Sequence, residues 1–339
     1  MCFIPSYKKI TDEDFVRRLA RANEIIKKCT SCPRNCFADR TIGEFGTCQS
    51  EDKPIVSSYS PHFGEEPVLS GTNGAGNIFF GNCNLRCDYC QNFVISQNPK
   101  VEINHKVSVD RLSDIMLELQ NMNCHNIGLV SPTHFTVPIL KSIKIARQKG
   151  LNIPIIYNSN GYDSIEILKL YKDVIDIYLP DFKYGDNISG RRYSKASDYF
   201  DKASLAIKEI YEQLGSELIY ENDIVVRGLI IRHLVLPNDL AETEEVFKFI
   251  SRELDPRVHV SVMAQYYPTN RASKNILLDR KITQTEYVRV LDLLEKYGLE
   301  NGWIQEMDSH EFYLPNFDKD REDPFGNKRL FESAFNKVG

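Results

Sequence analysis

Short runs of branched and aromatic residues alternate along most of the chain with segments whose apolar positions recur every three or four residues, a rhythm that predicts repeated βα units. The strand-like runs are NIFFG (77–81), IGLV (127–130), IPIIYN (153–158), VIDIYL (174–179), IVVRGLIIRHLVL (224–236) and VHVSVMA (258–264), with WIQEM (303–307) as a seventh. Between them, Leu112, Ile115, Met116 and Leu119 mark one helix face, and Ala203, Ile207, Ile210, Tyr211 and Leu214 another. Gly150, Gly215 and Gly298 each follow a periodic run where a left-handed cap is wanted, and Thr283 with Glu286 makes a capping box. Six or seven such units fit a full or partial β/α barrel, and periodicity alone fits a doubly wound sheet as well.

The rhythm is absent before Gly76, where one helical segment (about 12–28) is followed by a Cys-rich and Gly-rich stretch. The expected organisation is therefore a helix and Cys-rich metal-binding module at 1–75, the βα domain at 76–315, and a surface tail at 316–339 carrying the mixed-charge run DKDRED. The GEEP stretch at 64–67 reads as a solvated turn.

Composition narrows the function classes. The 339 residues are 42% hydrophobic, enough for a substantial core, and the net charge of -5 supplies no basic field for nucleic acid or anionic lipid. No apolar run is long enough to cross a bilayer, and MCFIPSYKKI has no apolar stretch behind its lysines, so the expected location is the cytoplasm, with neither nucleic acid nor membrane as partner. Nine cysteines stand at 2, 29, 32, 36, 48, 83, 87, 90 and 124. Seven fall into two groups, and clustered thiols in a reducing compartment read as metal ligands. Cys2 and Cys124 stand alone, the latter as a small buried hydrophobe.

One group lies in GNCNLRCDYCQN (81–92), in the loop leaving the first βα strand, where the chemistry of α/β folds collects. Three thiolates within eight residues converge on one soft metal centre from a single loop, with Asn82, Asn84 and Asp88 suited to its turns. No fourth ligand follows nearby, which leaves a coordination position open.

The Cys-x3-Cys-x2-Cys spacing, with Tyr89 before the last cysteine, resembles the signature of the radical S-adenosylmethionine (SAM) superfamily. The resemblance implies a 4Fe-4S cluster on Cys83, Cys87 and Cys90, whose open iron takes the amino and carboxylate groups of SAM. Reduction then yields methionine and a 5'-deoxyadenosyl radical that abstracts hydrogen. FFGNCNLRCDYCQN, NSNG (158–161), LPDFK (179–183) and IRHLVLP (231–237) are similar to the pyruvate formate-lyase activating enzyme branch, especially its relatives of unassigned substrate, over most of residues 29–315.

That likeness implies a partial (β/α)6-type TIM barrel and a set of cofactor contacts. These are Tyr89 near the adenine, Asp181 and Lys183 near the methionyl end, Asn158 and Asn160 at the end of the third strand, and His233 near the adenosyl group with Arg232 on the opposite strand face. It also implies an electron donor such as flavodoxin or ferredoxin and a protein or peptide substrate. Two departures stand out. Asn158-Ser159-Asn160 replaces an Asp-Thr-Asn run, and Ser131-Pro132-Thr133-His134 replaces Gly-Gly-Glu-Pro, whose backbone receives the SAM amino group.

The second group, in CTSCPRNC and GEFGTC, sets Cys29, Cys32, Cys36 and Cys48 at spacings that suit a closed zinc site or a second iron-sulfur cluster equally. It precedes the radical SAM motif, unlike the extra cysteines of activating enzymes. The expected activity is radical SAM hydrogen abstraction, with glycyl-radical-enzyme activation first and modification of another peptide or a small molecule second. The rival class is a non-catalytic zinc or iron-sulfur electron-transfer protein.

Overall fold

The computed structural model describes residues 3–307, 309 and 313–326, and the backbone of 335–337. Cys2, and the parts of the expected tail at 327–334 and 338–339, lie outside the described residues.

Ten strands form one sheet: β1 (Val56–His62), β2 (Ala75–Phe80), β3 (Ile127–Val130), β4 (Ile155–Ser159), β5 (Ile177–Pro180), β6 (Ile219–Glu221), β7 (Ile224–Leu234), β8 (His259–Met263), β9 (Gly302–Gln305) and β10 (Phe335–Lys337). Among the described residues, β2, β3, β4, β5, β7, β8 and β9 pair in parallel in that order. Antiparallel β1 and β10 form the two edges, and β6 is a short antiparallel partner of β7. The sheet is open, so the architecture is a partial barrel. Its parallel strands are largely buried on both faces, as β2 is along its whole length, which is why they read as continuous apolar runs.

Helices over Asp12–Lys27, Val109–Asn121, Thr136–Gln148, Tyr199–Leu214 and Gln284–Lys296 connect or cover the strands. Three start where a hydroxyl accepts a free backbone N–H: Thr11 from Asp14, Ser108 from Arg111, and Thr283 from Glu286 in a complete capping box. Gly150, Gly215 and Gly298 take positive φ values as expected. Cys124 is buried. Among the described residues no helix is long and apolar enough to cross a membrane.

Two readings need correction. Strand β1 lies within the residues expected to form only the module, so the sheet begins well before Gly76. Its sequence, VSSYSPH, pairs with a single neighbour and has a register shift near Val56, which hides the alternation of an ordinary strand. The described part of the tail is packed rather than merely solvated. Phe317 is 1% exposed and, with Phe325, lies against Phe79, while Arg321 pairs with the buried carboxylate of Glu102.

Candidate active site

A cleft of about 210 Å³ opens at the carboxyl ends of the parallel strands, and Cys83, Cys87 and Cys90 all line it. Asn82 turns the chain out of β2 with a φ of 65°, and its side-chain amide donates to Gln49 O at 3.1 Å and Ser50 Oγ at 3.0 Å. The loop is then fixed by backbone donation from Arg86 to Ser194 O (3.2 Å) and from Asp88 to Tyr193 O (2.8 Å). Arg271 clamps it from outside, donating to the Asp88 carboxylate at 2.7 Å and to Arg86 O at 2.8 Å.

Each thiol sulfur meets a polar neighbour. Ser194 Oγ donates to Cys87 Sγ at 2.9 Å, Asn160 Nδ2 to Cys83 Sγ at 3.3 Å and Leu85 N–H to Cys83 Sγ at 3.4 Å, while Cys90 Sγ and Ser96 Oγ are 3.2 Å apart. Burial pushes the Cys87 thiol up to about 12 and raises Cys90 as well, while the Lys183 ammonium pulls both downward. Buried and half-buried sulfurs flanked by donors and a cation are suited to carrying negative charge once a metal centre takes their protons. Among the described residues the cleft holds no fourth cysteine, and no three His, Cys, Asp or Glu side chains are gathered as they would be around a single ion.

The sequence-expected contacts come together here with one exception. Tyr89, Asn158, Asn160, Asp181 and Lys183 all line the cleft. Burial alone would lower the pKa of Lys183, but Asp181 and the Cys87 and Cys90 thiols outweigh it and hold the ammonium above its ordinary value. The Lys183–Asp181 pair is mostly shielded from solvent. Tyr89 packs between Tyr184 and Tyr266. Ser131, in place of the expected glycine, also lines the cleft and takes a φ of 58°, held by its N–H to Asn158 O at 2.9 Å.

His233 is the exception and corrects the expected adenosyl contact. Its Nδ1 lies 2.7 Å from Phe182 O and its Nε2 2.9 Å from Thr243 Oγ1, outside the cleft, and burial lowers its pKa to about 4. Strand alternation sends Arg232 to the cleft instead.

Arg232 leads to what sequence reasoning missed. GEEP is no solvated turn: Glu65 is 7% exposed and Glu66 0%. Arg232 donates to both Glu66 oxygens, at 2.9 and 2.7 Å, and pairs with Glu65, whose other oxygen accepts from Asn77 Nδ2 at 2.7 Å. Burial opposes ionisation of Glu65, yet Arg232 and His62 hold its carboxyl below the usual range. Two carboxylates around one guanidinium leave one negative charge in excess at this end of the cleft. The signal was an arginine inside an apolar strand, which requires a buried anionic partner.

Cys29, Cys32, Cys36 and Cys48 line a separate small cavity of about 10 Å³. The stretch that carries them is docked on the cleft loop. Arg34 Nε donates to Asn84 O at 3.0 Å, Arg86 to Thr47 O at 2.8 Å, and Asn82 to Gln49 and Ser50 as above. The spacing of these four thiols does not by itself show a zinc ion or a cluster.

A family model described as the radical SAM superfamily matches residues 77–250, from β2 to just past the helix Thr243–Phe249. The uncharacterized protein MJ0674 of Methanocaldococcus jannaschii is 35% identical over 288 residues, covering 82% of this chain and 78% of its own. The uncharacterized protein MJ0808 of the same organism is 28% identical over 159 residues, 42% of this chain and 45% of its own. Among solved structures, TYW1 with a lysine-pyruvate adduct bound is similar at 15% identity with a TM-score of 0.43, over 69% of this chain and 78% of that one. Methylornithine synthase (PylB) is similar at 14% identity with a TM-score of 0.44, over 88% and 72%.

Proposed function

Because the chain belongs to the radical SAM superfamily, we propose that Cys83, Cys87 and Cys90 hold a 4Fe-4S cluster and that the cleft performs SAM-dependent hydrogen abstraction on a peptide or small molecule. The observation that carries this reading is that one buried and two half-buried thiols, each beside a polar neighbour, line one cleft without a fourth cysteine among the described residues. When bound, the cluster and SAM together supply a 5'-deoxyadenosyl radical.

The protein's own groups bind and orient. Lys183, held by Asp181, offers a compact positive charge for the SAM carboxylate. The chain at Ser131, turned by its positive φ, takes the place of the glycine run that receives the amino group in the family pattern. Tyr89 offers an aromatic face for the adenine. Asn160 fixes the loop by bonding both Cys83 Sγ and, at 2.7 Å, Asn84 Oδ1.

The excess negative charge of Glu65, Glu66 and Arg232 favours a substrate that brings N–H donors or a cationic group to that end. Abstraction from a glycine of a partner protein is the finer reading suggested by the likeness to activating enzymes; an amine-bearing peptide or small molecule is the one favoured by this charge. A one-electron donor such as flavodoxin or ferredoxin supplies the reducing equivalent.

Anaerobically reconstituted protein with dithionite and SAM is expected to release 5'-deoxyadenosine and methionine, and Cys83→Ala, Cys87→Ala or Cys90→Ala to abolish both. Undiminished release from the triple variant refutes the assignment. Deuterated candidate substrates, scored by label entering 5'-deoxyadenosine, separate glycine from amine-bearing compounds.

A further inference from the structure

We propose that Cys29, Cys32, Cys36 and Cys48 hold a second iron-sulfur cluster, fully ligated by the chain and closed to SAM, which fastens the loop carrying the first. This goes beyond the reading of the cleft and does not depend on it. The four thiols share one enclosed cavity and form no disulfide.

Of two other groups on that cavity wall, Arg40 points to an anionic occupant, and His134 leaves a buried acceptor unpaired. Arg40 is 1% exposed; its guanidinium donates only to the backbone carbonyls of Ser50 (Nε, 2.9 Å) and Glu51, and among the described residues it meets no carboxylate. A buried cation without a counter-charge is strongly disfavoured, and four thiolates around a metal centre supply one. His134, buried at the end of β3, places Nε2 2.9 Å from Gly81 O. A carbonyl only accepts, so Nε2 carries the hydrogen and Nδ1 presents a bare lone pair, and that atom is buried without a partner.

The local chain geometry agrees with a cross-linked site. Asn35, Phe37 and Gln49 all hold left-handed φ values of 44° to 56°, which non-glycine residues adopt at a cost. Gly46 is required, because a Cβ there would meet Cys36 Sγ at 2.8 Å. So short a stretch has little apolar burial to offset this strain, and a metal cross-link offsets it.

Four cysteines suit a closed zinc site and an iron-sulfur cluster alike; the cluster is the choice tested below. The coupling is mechanical: the carbonyls of Thr47 and Gln49 and the hydroxyl of Ser50 accept hydrogen bonds from Arg86 and Asn82, on either side of Cys83.

The test is metal and sulfide analysis of full-length protein reconstituted anaerobically. Wild type is expected to hold about eight irons and eight sulfides per chain, and C83A/C87A/C90A about four of each. On reduction the variant should keep a cluster signal in electron paramagnetic resonance that SAM does not alter, and C32S/C48S in the wild-type background should halve the iron. A C83A/C87A/C90A protein free of iron, or one carrying a stoichiometric zinc instead, overturns the proposal. Should either multiple variant be insoluble, Mössbauer spectra of the wild type decide: two cluster sites, only one shifted by SAM, are expected, and a single site overturns it. Release of 5'-deoxyadenosine is scored separately, so failure of the cleft assignment leaves this result readable.

Discussion

The two cysteine groups use the same side chain in opposite surroundings. Cys83, Cys87 and Cys90 face about 210 Å³ shared with Lys183, Asn160 and Ser131, whereas Cys29, Cys32, Cys36 and Cys48 face a far smaller cavity of about 10 Å³ shared with Arg40 and His134. The first group is served by hydroxyls at two helix ends and by an amide and an ammonium just beyond β4 and β5. The second is wrapped by its own short chain. Ligand number and free volume, rather than ligand type, separate a centre that can receive a reactant from one that can only be held.

The largest expected effect breaks this contrast outright. Cys87→Ala removes a ligand from the open group, and release of 5'-deoxyadenosine from SAM, followed by chromatography, should fall to background, whereas Cys124→Ala should leave it near wild type. Next, Arg232→Met strands two buried carboxylates at the far end of the same cleft and should cost about 3–5 kcal/mol in denaturant unfolding; a loss below about 1 kcal/mol would mean that GEEP is solvated after all.

Arg34 ties the two regions together, through Asn84 O, Ser194 O and the face of Tyr162, 5.5 Å from its guanidinium. Arg34→Ala should therefore cost about 2 kcal/mol and lower the iron retained on the open loop after gel filtration; equal retention would make the two groups independent. The smallest effect is Ser194→Ala. Loss of a donor to Cys87 Sγ disfavours the more negative reduced state, so the open cluster's potential should drop by about 40 mV, the equivalent of about 1 kcal/mol for one electron. An unchanged potential in a redox titration would remove that hydrogen bond from the account.

Much of the scaffold was legible because it rests on periodicity. IGLV is β3 residue for residue, and the Thr283–Glu286 box opens its helix as read. The open loop was legible for a different reason: three ligands contributed by one short segment leave their spacing in the chain. What escaped depends on partners distant in sequence. Glu65 and Glu66 look solvated until Arg232, more than 160 residues later, is folded against them. The same strand alternation put either Arg232 or His233 in the cleft, and only the pairing of β7 with its neighbours decides which. β1 was hidden by serines and an irregular register, and Phe317 by the charged run beside it.

Tyr313 and Phe325, which line the cleft opposite the cysteine loop, come from the segment that follows β9. On the proposed reading, part of the wall that meets the reactant and the loop that would bind iron are thus written in different stretches of the chain. Mutations after the last parallel strand can reshape what fits in the cleft while leaving the cysteine loop untouched, so new specificities within this scaffold are open to selection without rebuilding its chemistry.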